Sequence, residues 1–305
     1  MKLLSFHSDA GRNRVGIVSA DTVIDATSLT NGAHGISAMR QLLQATGGVI
    51  DEEALDGLPR VALADVEVAP VVPDPGKIIA APVNYRDHQA EMNEDAHIDA
   101  LGVFLKAPSS VTADGTHVAL PYTDRRFDQE GELALIIGRT ARNVAPDEAE
   151  SFIAGYTCLL DMTMRGGEDR STRKSFDTFT PVGPYLVTKD EVGAVSTLRL
   201  RTQVNDVMRQ DADISDLIWN VPALIGYISS VMTLHPGDIV TTGTPAGIGQ
   251  VHDGDTITVE IDRVGRLTVA VTADGAVVCP TKGANRGPKP PAEVTPVRDR
   301  ASAAN

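Results

Sequence analysis

Apolar and polar residues alternate with a period of two in three short runs near the start of the chain, residues 2–6, 15–18 and 22–25. The turn signals GRN and AD separate them, so the pattern predicts a meander of strands. The period then changes. Over residues 36–45, Met39, Leu42 and Leu43 fall at helical spacing, and Gly47 and Gly48 end the run. VALADVEVAPVVPDPGK returns to strand and passes into a proline-rich link, which places a boundary between Pro73 and Gly76. Residues 1–73 therefore read as a small N-terminal domain without chemical character, whose role is packing.

From residue 77 the runs become more apolar. KIIAAPVNY reads as a buried strand that breaks into YRDHQAEMNEDAH, a short polar helix or lid. VFLKAPSS ends a strand at Lys106. Residues 133–137 and 156–160 are continuously apolar, as in strands buried on both faces, and both runs abut acids. Residues 232–239 read as a helix end and residues 256–273 as closing strands. Residues 74–280 thus form the main unit. After Cys279, TKGANRGPKPPAEVTPVRDRASAAN has no apolar period, so residues 281–305 are expected as a disordered tail or one pinned by a partner subunit.

Composition narrows the partners. The 305 residues, 42% hydrophobic and 22% charged, suit an ordinary soluble protein with ample core. A net charge of -14 argues against nucleic acid and anionic membranes as partners. It leaves an anionic small molecule open, because a local cation reverses the field within one pocket. Cys158 and Cys279 lie in apolar runs without metal-ligand spacing, as buried free thiols of a reducing, cytoplasmic compartment do. No signal pattern and no apolar run of membrane-spanning length is visible.

The acids beside the apolar runs carry candidate chemistry. Glu130 and Glu132 are two apart in FDQEGELALII, which on a strand puts both carboxylates on one face with Asp128. Asp161 ends the second run. Clustered acids are costly to bury unpaired, and a hard divalent cation relieves that cost; a solvated edge strand with Asp161 in a turn is the alternative. His88 and Glu91, three apart, can meet on one helical face as a general base and its carboxylate, or be a solvated surface pair. Lys106 can be a counter-charge only. GTPAGIG, residues 243–249, lacks the lysine and helix start of a phosphate loop and can be merely a tight turn.

Seven blocks in collinear order carry a family resemblance over residues 77–278: KIIAAPVNYRDH, FLKAPSS, DQEGELALIIGRTARNV, GYTCLLDMTMR, RKSFDTFTPVGPYLVT, SDLIWNVPALIGYIS and MTLHPGDIVTTGTPAGIG. The chain resembles the fumarylacetoacetate hydrolase superfamily, in its branch of acylpyruvate hydrolases and 2-hydroxyhepta-2,4-diene-1,7-dioate isomerases. The resemblance implies an α+β, predominantly β fold, a mixed β-sandwich roll with a small N-terminal α+β domain. It implies Mg²⁺ (or Mn²⁺, with Ca²⁺ possible) held by Glu130, Glu132 and Asp161, and a His88–Glu91 dyad on a lid. Lys174 joins the catalytic set. Arg165, Tyr85, Lys106, Thr244 and Gly243 are implied as substrate contacts, and the family pairs as a homodimer through its roll.

The chain also departs from the family. Where relatives read DxTARDxQ, it has DMTMRGGEDRSTRKS: Gly166 replaces an acid, Glu168 stands where an amide would touch substrate, and the connection to Lys174 is short. Glu168 would repel an anionic substrate unless protonated or paired with Arg170 or Arg173. The expected reaction is hydrolysis of a C–C bond in an acylpyruvate-like 2,4-dioxo acid of fumarylpyruvate type, with the cation as Lewis acid and water activated by His88. The same machinery serves isomerases and decarboxylases, and a catalytically silent metal-binding protein is the third reading.

Overall fold

The computed structural model describes residues 1–8, 11–285 and 287–297. The N-terminal meander is β1 (Lys2–His7), β2 (Asn13–Ser19) and β3 (Thr22–Asp25), followed by α1 (Ala38–Thr46) and the short β4 (Arg60–Ala62) and β5 (Glu67–Val68). Strand β6 (Ile78–Ala80) leads into the lid helices α2 (Arg86–Glu91) and α3 (Ile98–Leu101), and the chain returns along β7 (Phe104–Lys106). After β8 (Val111–Thr112) and β9 (His117–Ala119) come β10 (Arg126–Gln129), β11 (Gly131–Ile137) and β12 (Ile153–Leu160). Then follow β13 (Thr163–Arg165), the single turn α4 (Arg170–Arg173), β14 (Thr180–Thr188) and α5 (Lys189–Val192). The last part holds the hairpin β15 (Arg199–Val204) and β16 (Val207–Asp213), α6 (Val221–Val231), β17 (Ile239–Thr241), β18 (Gly249–Gln250), and the hairpin β19 (Thr256–Ile261) and β20 (Gly265–Thr272).

These strands build a mixed roll, the expected α+β, predominantly β fold. A 12-stranded sheet runs β4-β3-β2-β1-β14-β12-β11-β17-β6-β7, with β5 on β1 and β8 on β14; a five-stranded sheet runs β16-β15-β19-β20-β9. Most pairs are antiparallel, but β17 pairs β6, β20 pairs β9 and β14 pairs β8 in parallel. A third sheet of three strands, β13-β10-β18, stands at the end of the sandwich where the acids gather.

Strand β11 shows why its run is continuously apolar. Leu133, Leu135 and Ile137 enter the core shared with β15, β19 and β20, including Leu200, Val259 and Leu267. Ala134 and Ile136 enter the opposite core, under α1 with its Met39, Leu42 and Leu43. Each alternate residue thus meets a different layer. The proline-rich link is part of this packing, since Val71 and Val72 are buried in the same core as α1. The sheet also runs through the expected boundary near residue 73: Lys2 and Leu3 of β1 lie opposite Val187 and Leu186 of β14. Among the described residues no helix is long and apolar enough to cross a membrane, and both cysteines are free and buried.

Candidate active site

The acids are brought together by a change of sheet. The chain leaves the three-stranded sheet after Gln129 and enters the large sheet at Gly131, with Glu130 at the junction. Only glycine fits at 131, because a Cβ there would lie 2.1 Å from Thr202 Oγ1 of the facing sheet. Strand β12 pairs with β11 up to Leu160 opposite Gly131, which delivers Asp161 beside them. Ligand atoms of Glu130, Glu132 and Asp161 all lie within 4.8 Å of one another, and all three residues are buried. The solvated-edge alternative is therefore excluded. Asp128, expected on the same face, is not among them. The sheet change breaks the two-residue period, and Asp128 is paired with Arg126 and Arg165 at 2.7 and 2.8 Å.

The cations around the three acids are unevenly shared. Lys174 Nζ donates to Glu130 at 2.7 Å, to Asp161 at 2.5 Å and to the Thr163 hydroxyl at 2.6 Å. Lys106 Nζ donates to Asp161 and to the Phe179 carbonyl. Arg165 Nη2 donates to Glu130 at 2.7 Å. Burial works to raise the Glu130 carboxyl, but Lys174 and Arg165 outweigh it and hold the group well below the usual range. Glu132 has no cation within ion-pair distance among the described residues; it accepts only the Thr241 hydroxyl and the Gly243 N–H. Burial and then the charge of Asp161 push it up to about 8, with Glu130 adding to the shift.

One carboxylate is thus left without a cation in direct contact. This oxygen-only, three-acid donor set fits a hard divalent cation. Such a cation has to expel the proton that Glu132 retains below about pH 8. Mn²⁺ affinity should therefore fall as pH drops below that value, approaching about tenfold per unit from this one proton, and loading at neutral pH should release most of a proton. Calorimetric titration in two buffers of different ionisation enthalpy measures this release. A buffer-independent heat would show that Glu132 carries no proton to release at that pH.

The lid lies over the acids. His88 Nδ1 meets Glu91 Oε2 at 2.9 Å, and both side chains are buried, so the surface-pair alternative does not hold. A carboxylate only accepts, so Nδ1 carries the hydrogen, and in the neutral ring Nε2 keeps a lone pair. Glu91 is itself fixed: its Oε1 accepts the Gly247 N–H and the Thr295 hydroxyl, each at 2.8 Å. Gln129 in turn grips the loop, donating to the Gly247 carbonyl and accepting the Gly249 N–H. A line of hydrogen bonds therefore runs from the residue before Glu130, through the GTPAGIG loop, to the dyad. At the lid root, Asn84 ties to Trp219 and Thr242, and Val83 holds a left-handed φ of 41°, a strained state for a β-branched residue.

The sequence-derived contacts fall into two groups. His88, Arg165, Lys174 and Thr244 line one cavity with the three acids. Tyr85, Lys106 and Gly243 do not. Tyr85 is fully buried at the start of α2 with its hydroxyl unpartnered. Lys106 is a counter-charge to Asp161, and Gly243 gives its amide to Glu132. Thr244 gives its hydroxyl hydrogen to the Gly131 carbonyl. Glu168 does not pair with Arg170 or Arg173; it turns towards Gly166 and Thr281, with Oε1 3.4 Å from the Thr281 hydroxyl.

The cavity holds about 40 Å³, room for a cation and a few waters but not for a whole substrate. It adjoins an outer chamber of about 770 Å³, with Arg165, Arg170, Arg173 and Pro288 in both walls. The described part of the 281–305 segment helps cover this mouth. Pro291 accepts from Arg126, Val294 packs on Gly249, and Thr295 reaches Glu91; residues 286 and 298–305 lie outside the described residues. Sequence reasoning passed over Arg170, Arg173, Gln129, Thr241 and Thr295 as site residues. The i, i+3 spacing in RSTR was the one available signal, since it puts two arginines on one helical face.

A profile of the fumarylacetoacetate (FAA) hydrolase C-terminal domain matches residues 77–272. The maleylpyruvate hydrolase of Aquipseudomonas alcaligenes is 41% identical over 288 residues, which cover 89% of this chain and 99% of that protein. The crystal structure of maleylpyruvate hydrolase from Sphingobium sp. SYK-6, in complex with manganese(II) ion and pyruvate, is 42% identical with a TM-score of 0.78, covering 90% of this chain and 99% of that one. That of 5-carboxymethyl-2-hydroxymuconate delta-isomerase from Mycobacterium smegmatis is 28% identical with a TM-score of 0.72, covering 90% of this chain and 100% of that one.

Proposed function

The chain belongs to the fumarylacetoacetate hydrolase family, and from that premise we propose that it is a divalent-metal-dependent hydrolase that cleaves the C–C bond of an acylpyruvate-type 2,4-dioxo acid. Its products are pyruvate and the carboxylic acid of the acyl group. One observation carries this reading: a buried three-carboxylate cluster shares one cavity with His88, whose Nδ1 is held by Glu91. The relatives support it, because the 41% and 42% identical ones are both maleylpyruvate hydrolases, one of them solved with manganese(II) and pyruvate.

Glu130, Glu132 and Asp161 would hold the cation, with Mg²⁺ or Mn²⁺ the fitting choices. Bound there, it would supply Lewis-acid polarisation of the 2-oxo group. His88 Nε2 takes a proton from a water aimed at the acyl carbonyl, while Glu91 holds Nδ1–H and offsets the charge that forms on the ring. The oxygen of that water bonds to the acyl carbon, and the bond between this carbon and the neighbouring methylene then breaks as the acyl group leaves as its carboxylic acid. The electron pair of that bond passes into the pyruvate enolate, where the Lys174 ammonium opposes the developing charge. The proton held by His88 returns to the methylene carbon to complete pyruvate.

The test is pyruvate release from acetylpyruvate, fumarylpyruvate and maleylpyruvate with added Mn²⁺, and its loss on chelation. A chain that releases pyruvate from none of them refutes the reading. Isomerase and decarboxylase activities are less supported, since the delta-isomerase is only 28% identical and decarboxylation has no use for a water-activating dyad. A homodimer belongs to the same proposal, and sedimentation at micromolar concentration decides it.

A further inference from the structure

Glu91 is held from two sides, and one holder comes from the far end of the chain. It is the last residue of the six-residue helix α2. A helix that short is not stable by itself, so the direction of Glu91 has to be set by what surrounds it. Its Oε2 faces His88 Nδ1. Its Oε1 accepts the Gly247 N–H and the Thr295 hydroxyl, each at 2.8 Å. Thr295 lies beyond residue 272, where the matched family domain ends.

The segment that carries Thr295 is seated along its length. The Thr281 hydroxyl donates to Glu168 at 3.4 Å, the Asn285 N–H to the Gly166 carbonyl at 3.0 Å, and Arg126 to the Pro291 carbonyl at 2.9 Å. Glycine is required at 283, where φ is +73° and a Cβ would lie 2.7 Å from the Gly166 oxygen. Val294 fills the space over Gly249, where a Cβ would come within 2.4 Å of it. Prolines at 288, 290, 291 and 296 restrict the free chain, so ordering this segment costs less than ordering a common tail. Pro296 also disfavours helical backbone at Thr295. Gly166 and Glu168, two departures from the family pattern, are thus the places where the segment docks.

We propose that this segment is a strap whose Thr295 is a positioning residue for hydrolysis: its hydroxyl sets the direction of Glu91 and, through it, of the His88 ring. The inference rests on the hydrolase reading above and adds to it a residue from outside the family domain. Thr295 acts only through Glu91, since it does not line the cavity of the three acids. Without its hydroxyl, Oε1 would keep the Gly247 N–H alone, and the carboxylate could turn about its last bond. The His88 ring, hinged on Oε2, would follow, and Nε2 would lose its aim at the water. A misdirected base slows proton transfer and leaves the contacts of substrate and cation in place.

The experiment measures pyruvate release by the full chain with Mn²⁺ in the parent, Thr295→Val and Thr295→Ser. Valine keeps the branched shape and removes the hydroxyl, whereas serine keeps the hydroxyl. In Thr295→Val kcat should fall on the order of tenfold, as for one lost hydrogen bond to a charged group, while KM and Mn²⁺ affinity stay within about twofold. Thr295→Ser should recover kcat to within about threefold of the parent. An unchanged kcat in Thr295→Val, equal losses in both variants, or a loss that falls on KM or Mn²⁺ affinity instead would overturn the assignment. If the parent releases pyruvate from no 2,4-dioxo acid, the reaction reading fails by itself. NMR of the isotope-labelled His88 ring then judges the strap. An Nδ1–H signal that moves in Thr295→Val and returns in Thr295→Ser supports it; a signal unmoved in Thr295→Val, or moved alike in both, overturns it.

Discussion

Glu132→Gln should abolish divalent-cation binding and lower hydrolysis on the order of a thousandfold, without weakening the fold. Glu130 and Asp161 each touch a lysine or arginine, so neutralising either leaves a buried cation unpaired. Glu132 touches none, and in the absence of a cation its pKa is pushed up to about 8. It is the one acid of the three whose charge can be removed without stranding a partner. The amide keeps an oxygen for the Gly243 N–H. The readout is the melting temperature with and without Mn²⁺. At an Mn²⁺ concentration about a hundredfold above Kd the parent gains about 2.7 kcal/mol, or several degrees, and the variant gains nothing. Without Mn²⁺ the two melt alike. A variant that keeps the parent's Mn²⁺ shift would remove Glu132 from the cation site.

Next in size is the effect of His88→Ala, which should cut kcat for acylpyruvate hydrolysis on the order of a hundredfold or more. Pyruvate and Mn²⁺ binding should hardly change, because His88 is not among the acids that would hold the cation. Glu91→Gln should lose less, since the amide can still receive one of the hydrogen bonds now made to the carboxylate by His88, Gly247 and Thr295. Oxaloacetate decarboxylation, if the site supports it, requires no activated water and should survive in His88→Ala. Full retention of hydrolysis by this variant would take His88 out of the mechanism.

Much of this site was legible in the sequence because it is local. The two-residue spacing of Glu130 and Glu132 and the abrupt end of an apolar run at Asp161 are one-dimensional patterns. The dyad is a helical i, i+3 pair. The assignments that the structure moved depend on which far segment comes near. Asp128 was grouped with the acids because a period of two was carried through Gly131, where the chain changes sheets. Lys106 and Gly243 stood as substrate contacts only through the family resemblance, whereas their polar atoms are used on Asp161 and Glu132. Thr295 comes from a stretch with no apolar period, and its contact with Glu91 spans 204 residues. No spacing argument reaches that far. Single strands were readable from their periods and the roll only through the family resemblance, but the passage of β1 into the large sheet was not, because a proline-rich link looks the same whether or not the strands on either side pair.

That passage separates homology from independence. The matched family segment begins at residue 77, yet β14, inside it, takes β1 as its hydrogen-bonding neighbour. A protein trimmed to the matched segment would present the bare edge of β14 and uncover Val182 and Leu186, which pack with Leu3 and the apolar side of α1. An open strand edge beside an apolar face is a template for stacking on other copies, so such a fragment would trade solubility for self-association. The first seventy residues are therefore no detachable accessory that recombination could exchange freely. They act as the guard on one edge of the catalytic sheet, and a replacement module would have to bring a strand of matching register.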